Sequence, residues 1–275
     1  MNSATTVTII QARMGSSRLP GKVMMPLCGR PLLQRLLERV QRSRLKGTVV
    51  VATTDAAEDR EIVRFCRDNG YFCFAGHPSD LLDRHLRAAQ LFGANVVVKI
   101  PSDCPLIDPE VIDQVIGTFH RQHEPWDYLS NLHPPTYPDG NDVEVMTFAA
   151  LERAHREAVR PLEREHTTPY FWENPRRFRI GNVLWETGRN LSMSHRWTID
   201  YPEDYQFIRA VYEALLPRKA DFGLQDILDL LENHPEIAGI NRRFCGVNWY
   251  RHHLDELRAI SPEETRREPQ PKAKQ

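Results

Sequence analysis

Three nearly unbroken apolar runs, each leading into helical spacing, constrain this chain more than any other feature. They are Val7-Thr8-Ile9-Ile10, Thr48–Ala52 (TVVVA) and Asn95–Ile100 (NVVVKI). A strand with one face in water alternates apolar with polar residues; these do not, so they predict strands buried on both faces. Leu32, Leu33, Leu36, Leu37 and Val40 mark a helix after the first run. Ala56–Asn69 forms a second helix, capped by Asp55 and stopped by Gly70. Tyr71–Phe74 reads as a strand, Pro78-Ser79-Asp80 opens a helix to Phe92, and Pro109–His120 supplies another. Alternation of this kind predicts an α/β fold with a mainly parallel sheet wrapped on both sides.

The rhythm changes at Pro125. Pro134, Pro135 and Pro138 mark a loop, and Asp142–Phe148 alternates like a half-exposed strand. Ala149–Val159 and His166–Glu173 read as helices, Phe178–Val183 and Ser194–Ile199 as strands, and Glu203–Leu215 and Leu224–Asn233 as helices. There is no repeat and no clear linker. Residues 1–261 therefore read as a single domain, with 7–120 as its regular α/β part and 121–261 as a mixed β/α part. Residues 262–275 are polar and unpatterned, and disorder is the expectation there.

Composition removes several functional classes. A net charge of −1 argues against a broad basic surface for nucleic acid. The five cysteines are odd in number and never form a C-x-x-C pair, which favours reduced thiols and a cytoplasmic protein over a disulfide framework or zinc site. No apolar run reaches the roughly 18 residues of a membrane span. Cationic function must therefore be local.

The stretch that ends the first strand is the best local candidate: Thr8-Ile9-Ile10-Gln11-Ala12-Arg13-Met14-Gly15-Ser16-Ser17-Arg18-Leu19-Pro20-Gly21-Lys22. Strand, glycine-containing basic loop, helix is how α/β proteins build phosphate sites. Free backbone N–H groups with Arg13, Arg18 and Lys22 could neutralise a polyphosphate. It is no Walker A loop: five residues separate Gly15 from Gly21, and Val23 follows Lys22 where a hydroxyl is needed. The dinucleotide fingerprint is also absent.

What remains resembles the cytidylyltransferases that make CMP-activated acidic sugars, whose opening is A-R-x-x-S-x-R-L-P-x-K. Ala12, Arg13, Ser16, Arg18, Leu19, Pro20 and Lys22 occupy it without gaps. The SpsF-like spore-coat branch of that group is the nearest match. Segments Asp83-Arg84, Ser102–Asp108, Pro138–Val145, Glu163–Tyr170 and Thr198–Asp204 extend the likeness over residues 7 to 215.

The resemblance implies a three-layer α/β/α nucleotide-diphospho-sugar transferase-like (Rossmann-like) fold. It implies transfer of CMP from CTP to a small acidic sugar or phosphorylated acceptor, with Mg²⁺ as cofactor and no nucleic acid or membrane partner. It also allows a homodimer. Asp103 and Asp200 become the metal ligands, and Arg13, Arg18 and Lys22 the catalytic cations. Gln11, Ala12, Gly15, Ser16, Arg84 and Ser102 become nucleotide contacts, although the family often has glycine where Ser102 stands. Asp139, Asn141, Glu144, Glu165 and His166 border the acceptor, and His166 could serve as a base near neutral pH. Arg160 and Arg164 could meet an acceptor carboxylate or form helix-face salt bridges. Trp172, Trp185, Trp197, Phe207 and Phe222 read as core. A glycosyltransferase on a similar fold stays open, though Ser102-Asp103-Cys104 is no D-x-D motif, as does a non-catalytic nucleotide-binding relative.

Overall fold

A computed structural model describes residues 4–121 and 125–269. Seven of its strands form one sheet: β1 (Thr6–Gln11), β4 (Thr48–Thr54), β5 (Phe72–Gly76), β6 (Val96–Pro101), β7 (Tyr128–Ser130), β8 (Glu144–Thr147) and β9 (Ile180–Asn182). The short β2 (Pro26–Leu27) and β3 (Arg30–Pro31) pair as a separate hairpin. The spatial order is β5-β4-β1-β6-β8-β7-β9. The first four strands in that order run parallel; β8 is antiparallel to both β6 and β7.

The three apolar runs become β1, β4 and β6, the centre of the sheet, for the reason their composition gives. Ile10, Val51 and Val98 pack on α1 (Leu32–Arg42), α2 (Arg60–Asp68) and α4 (Pro109–His120). Val7, Ile9, Val50 and Val97 face the other side, towards α3 (Leu81–Leu91) and α5 (Phe148–Glu157). Alternate side chains thus enter opposite cores, and neither face meets water. The expected three-layer α/β/α arrangement is present.

Chain order reverses at β1: β4 and β5 lie to one side of it, β6 to the other. Open parallel sheets bind ligands at the carboxyl ends of the strands beside such a reversal. Gln11 ends β1, and Ser102 and Asp103 follow β6.

The second half departs from the sequence expectations in several places. β8 is buried rather than half-exposed, because Val145 packs into one core and Met146 into the other. The strand expected at Ser194–Ile199 is an irregular segment. Its backbone bonds go to loops, with Trp197 N–H donating to Asp139 O (2.7 Å) and Ile199 N–H to Asp103 O (2.9 Å). Of the helix expected over His166–Glu173 only the short α7 (Pro169–Trp172) forms; an unexpected α6 (Pro161–His166) ends where that helix was to begin, and Thr167, at φ 69°, breaks the chain between them. Helices α8 (Pro202–Leu215), α9 (Leu224–Asn233) and α10 (Pro235–Ala238) share a third core with Trp197, Ile199 and Phe222.

The described part of the C-terminal stretch is not the loose tail its composition suggests. Arg266 N–H donates to Gly246 O (2.7 Å), and Glu268 accepts from both Arg251 and Tyr201. Polar partners hold it in place of an apolar stripe. Residues 270–275 lie outside the described part. Among the described residues no helix is long and apolar enough to cross a membrane, and the five cysteines are free thiols.

Candidate active site

A cleft of about 340 Å³ opens at the carboxyl ends of β1 and β6. Its lining includes Gln11, Ala12, Arg13, Gly15, Ser16, Arg18, Lys22, Arg84, Ser102 and Asp103 from the first half of the chain, and Asp139, Glu144, Glu165, His166 and Asp200 from the second. One expected member is missing. Asn141 is buried outside the cleft lining, accepting from Asp108 N–H (3.0 Å) and donating to Pro138 O (3.1 Å). It shapes the loop that carries Asp139.

Lys22 sits at the floor. Gly21, at φ 70°, turns the chain into a short 3₁₀ turn that sends the Lys22 side chain inward. Its ammonium donates to Asp103 Oδ2 (2.8 Å), Asp200 Oδ1 (3.2 Å) and Ile199 O. Burial opposes its charge, yet the two carboxylates outweigh that cost and raise its proton affinity. Arg18 also reaches Asp200 (2.6 Å), with its guanidinium 5.4 Å from the centre of the Tyr201 ring.

Part of the loop backbone is already engaged. The N–H groups of Met14, Ser16, Leu19, Gly21 and Lys22 are engaged with Asp59 or within the loop itself. The N–H groups of Gly15, Ser17 and Arg18 have no such partner among the described residues and stand beside the side-chain charges. Arg13 is exposed, near enough to both Arg84 and His166 to disfavour a proton on either.

Arg84, a solvated helix residue if read alone, is 4% exposed. Burial, with Arg13 adding to it, pushes its pKa down to about 10. Its Nε has no partner among the described residues, and neither has Gln11 Oε1. One is a donor and the other an acceptor. Leaving such buried groups unpaired costs on the order of 1–3 kcal/mol each, which a ligand could recover.

The opposite wall depends on residues the motif reading did not single out. Arg196, with a fully buried side chain, bonds Asp139 (3.3 Å), Asp200 (2.9 Å) and Asp204 (3.0 Å). Burial works against the Asp200 charge, but Lys22, Arg196 and Arg18 hold its pKa well below the usual carboxylate range. Asp139 behaves oppositely: burial raises its pKa, against the pull of Arg196. Asp142 is pushed up to about 6 by burial, only partly offset by the Gly140 N–H. Lys99 pairs with Glu144, which also accepts from Tyr128 Oη (2.6 Å). A lone lysine inside NVVVKI was the available sequence signal for that pair. Arg196 gave none, since its acidic partners include one 57 positions away.

Among the residues expected to border an acceptor, His166 stacks on Trp249 with ring centres 4.0 Å apart. Burial lowers its pKa to about 3, so it does not titrate near neutrality as the sequence reading allowed. Arg160 and Arg164 are committed to Glu163 and Asp80, which settles them as salt bridges. Trp172 is 5% exposed and belongs to the core, yet its surface also lines the cleft.

Comparison with known proteins gives the family. The sequence model of a family described as Cytidylyltransferase matches residues 7–225. The spore coat polysaccharide biosynthesis protein SpsF of Bacillus subtilis is 32% identical over 234 residues, covering 84% of this chain and 95% of SpsF. A solved cytidylyltransferase from Leptospira borgpetersenii superposes with a TM-score of 0.81 at 33% identity, covering 86% of this chain and 97% of its own. A CMP-2-keto-3-deoxy-manno-octonic acid synthetase solved with CTP shares the fold, with a TM-score of 0.56 at 18% identity over 77% of this chain and 99% of that one. The chain belongs to the cytidylyltransferase family and is a nucleotidyltransferase enzyme.

Proposed function

We propose that the chain transfers CMP from CTP to an oxygen of a small acidic or phosphorylated acceptor, releasing pyrophosphate, in the making of a surface-polysaccharide precursor. One observation carries the reading: the buried Lys22 ammonium, where Asp103 and Asp200 converge beneath a cationic loop. The relatives support it, SpsF through its link to spore-coat polysaccharide and the octonic acid synthetase through its bound CTP.

The acceptor oxygen attacks the α-phosphorus as the bond from phosphorus to the bridging oxygen of the leaving pyrophosphate breaks. Arg13, Arg18 and Lys22 stabilise the charge that builds on the pyrophosphate, and catalysis is mostly positioning and neutralisation. Gln11 Oε1 and Arg84 Nε are the groups available for the base and its sugar. Ser102 and the rim residues Gly15 and Ser16 bound the phosphate path.

Two converging carboxylates fit Mg²⁺. Asp103 Oδ1 meets only the Cys104 thiol, at 3.7 Å, so it keeps a lone pair for an ion. Among the described residues no set of three His, Cys, Asp or Glu side chains forms a closed metal site. An ion held by Asp103 and Asp200 would complete its shell from phosphates and water, as Mg²⁺ does, and would supply charge to the phosphate oxygens.

Lys22→Ala and Asp103→Asn should each lower pyrophosphate release from CTP at least about a hundredfold, the scale of losing one transition-state contact. Circular dichroism should remain unchanged. Near-native release by either folded variant would sink the assignment. Turnover with UDP- or GDP-sugars in place of CTP would favour a glycosyltransferase.

A further inference from the structure

A second cavity, of about 450 Å³, lies where α8, α9 and α10 meet the segment that follows them. Of the described residues, only Arg196 lines both this cavity and the catalytic cleft. Its volume is that of a small-molecule site. The amphipathic helices explain its floor. Phe207 of α8 and Leu231 of α9 belong to the core they share with Trp197, and all three line the cavity. Trp197 is fully buried, and its Nε1–H has no partner among the described residues.

The rim carries the charge. Arg243 pairs with Glu203, but Arg242, its neighbour in the chain, has no carboxylate partner among the described residues. Arg266 has none either, and its backbone is held in place: its N–H donates to Gly246 O (2.7 Å). Its stem lies close over Gly246, where a Cβ would come within 3.2 Å of the Arg266 Cγ and Cδ. Gly246, at φ 78°, is thus needed both for the turn and for the approach. Burial raises the pKa of the Cys245 thiol in the cavity lining, and the charge of Arg266 pulls against it. Arg196 is spent on Asp139, Asp200 and Asp204. Among the described residues no aspartate or glutamate lines the cavity. Residues 270–275 add two lysines and no acidic side chain. Two guanidiniums without a carboxylate therefore border a hollow with an apolar floor.

We propose that this cavity binds a small organic phosphate, its apolar body against Phe207, Leu231 and Trp197 and its phosphate on Arg242 and Arg266. Two guanidiniums match the double charge of a phosphate monoester, whereas a carboxylate would satisfy only one of them. The floor gives the body of the ligand a place out of water, which a bare anion would not use. The site is distinct from the cytidyl-transfer centre and stands without that reading.

The test follows the indole ¹⁵N–¹H signals of the full chain, which holds five tryptophans. Replacing each of the other four by Phe in turn identifies the Trp197 signal. Phenyl phosphate at pH 8 should shift that signal saturably, with half-saturation below about 1 mM. Arg242→Gln combined with Arg266→Gln should weaken binding at least about tenfold, with circular dichroism and thermal unfolding as in wild type. Each single exchange should weaken it about threefold, which decides the matter if the double variant does not fold. Inorganic phosphate and benzyl alcohol each keep one of the two contacts and should bind at least about tenfold more weakly than phenyl phosphate. An unmoved Trp197 signal overturns the site, as does undiminished binding by the folded arginine variants. Trp172 and Trp249 line the catalytic cleft, so a response confined to their signals places the probe there and also overturns it. Benzyl alcohol or inorganic phosphate binding as well as phenyl phosphate removes one half of the recognition and defeats the proposal. Benzoate binding as tightly overturns the choice of phosphate over carboxylate.

Discussion

The two halves of the molecule are held by different physics. In the first, β1, β4 and β6 bury valine and isoleucine on both faces between layers of amphipathic helix. In the second, the strands are three or four residues long, and much of the cohesion near the cleft passes through Arg196 and its three aspartates and through Lys99 with Glu144. The candidate site lies on the seam. Lys22, Arg18 and Asp103 come from the apolar half, and Asp139, Glu144 and Asp200 from the polar one. Apolar burial is tolerant and local, whereas a buried ion network gains little unless every member is present.

The sharpest way to break that contrast is Arg196→Met. It leaves buried carboxylates unpaired and should cost about 3–5 kcal/mol in urea denaturation at pH 8. The loss should shrink by pH 4.5, where the stranded aspartates take up protons in the folded state. An equal loss at both pH values would place Arg196 among ordinary packing residues. Leu36→Ala, in the fully buried face of α1, should cost about 3 kcal/mol through the cavity it leaves. That cost should be flat across the same pH range, since nothing near it titrates in compensation.

The smallest effect has the opposite sign. Asp142 has a folded pKa raised to about 6 from its model-compound value of 3.8. The folded state therefore binds its proton more tightly than the unfolded state does. Stability falls as pH rises between those values, and the full cost persists above about pH 6. Asp142→Asn removes the charge and should stabilise the protein by about 1 kcal/mol at pH 8, raising Tm by roughly 2–4 °C. The gain should vanish near pH 4. A variant no more stable than wild type at pH 8 would show that the carboxylate is better compensated than its single Gly140 contact suggests.

The same contrast explains what could be read from the chain. The runs ending at Ile10, Ala52 and Ile100 specify strands through neighbours a few positions away, so β1, β4 and β6 were legible. Ser194–Ile199 has the right apolar content for a strand, but its backbone partners are Asp103 and Asp139, far off in the chain, and local pattern carries no trace of them. Within the site, the loop cations and Asp103 and Asp200 could be named from motifs and all line the cleft. Arg84 could be named only through the Asp83-Arg84 segment; its own neighbours in the chain do not tell it from a surface arginine, because its burial comes from packing against other elements. Trp249 was invisible as a cleft residue for the same reason: nothing around it in sequence says which distant surface it covers.

Lys22 and Asp200 stand 178 positions apart. During synthesis at 5–20 residues per second, roughly ten to thirty seconds separate the appearance of the first from that of the second. Throughout that interval the first half has its apolar sheet centre to fold around, but neither the Asp200 carboxylate nor the Arg196 that braces it. The assembled cleft floor is thus a property of the longer polypeptide. A ribosome stalled before residue 200 would release a chain able to bury its first core and unable to assemble the floor of its cleft.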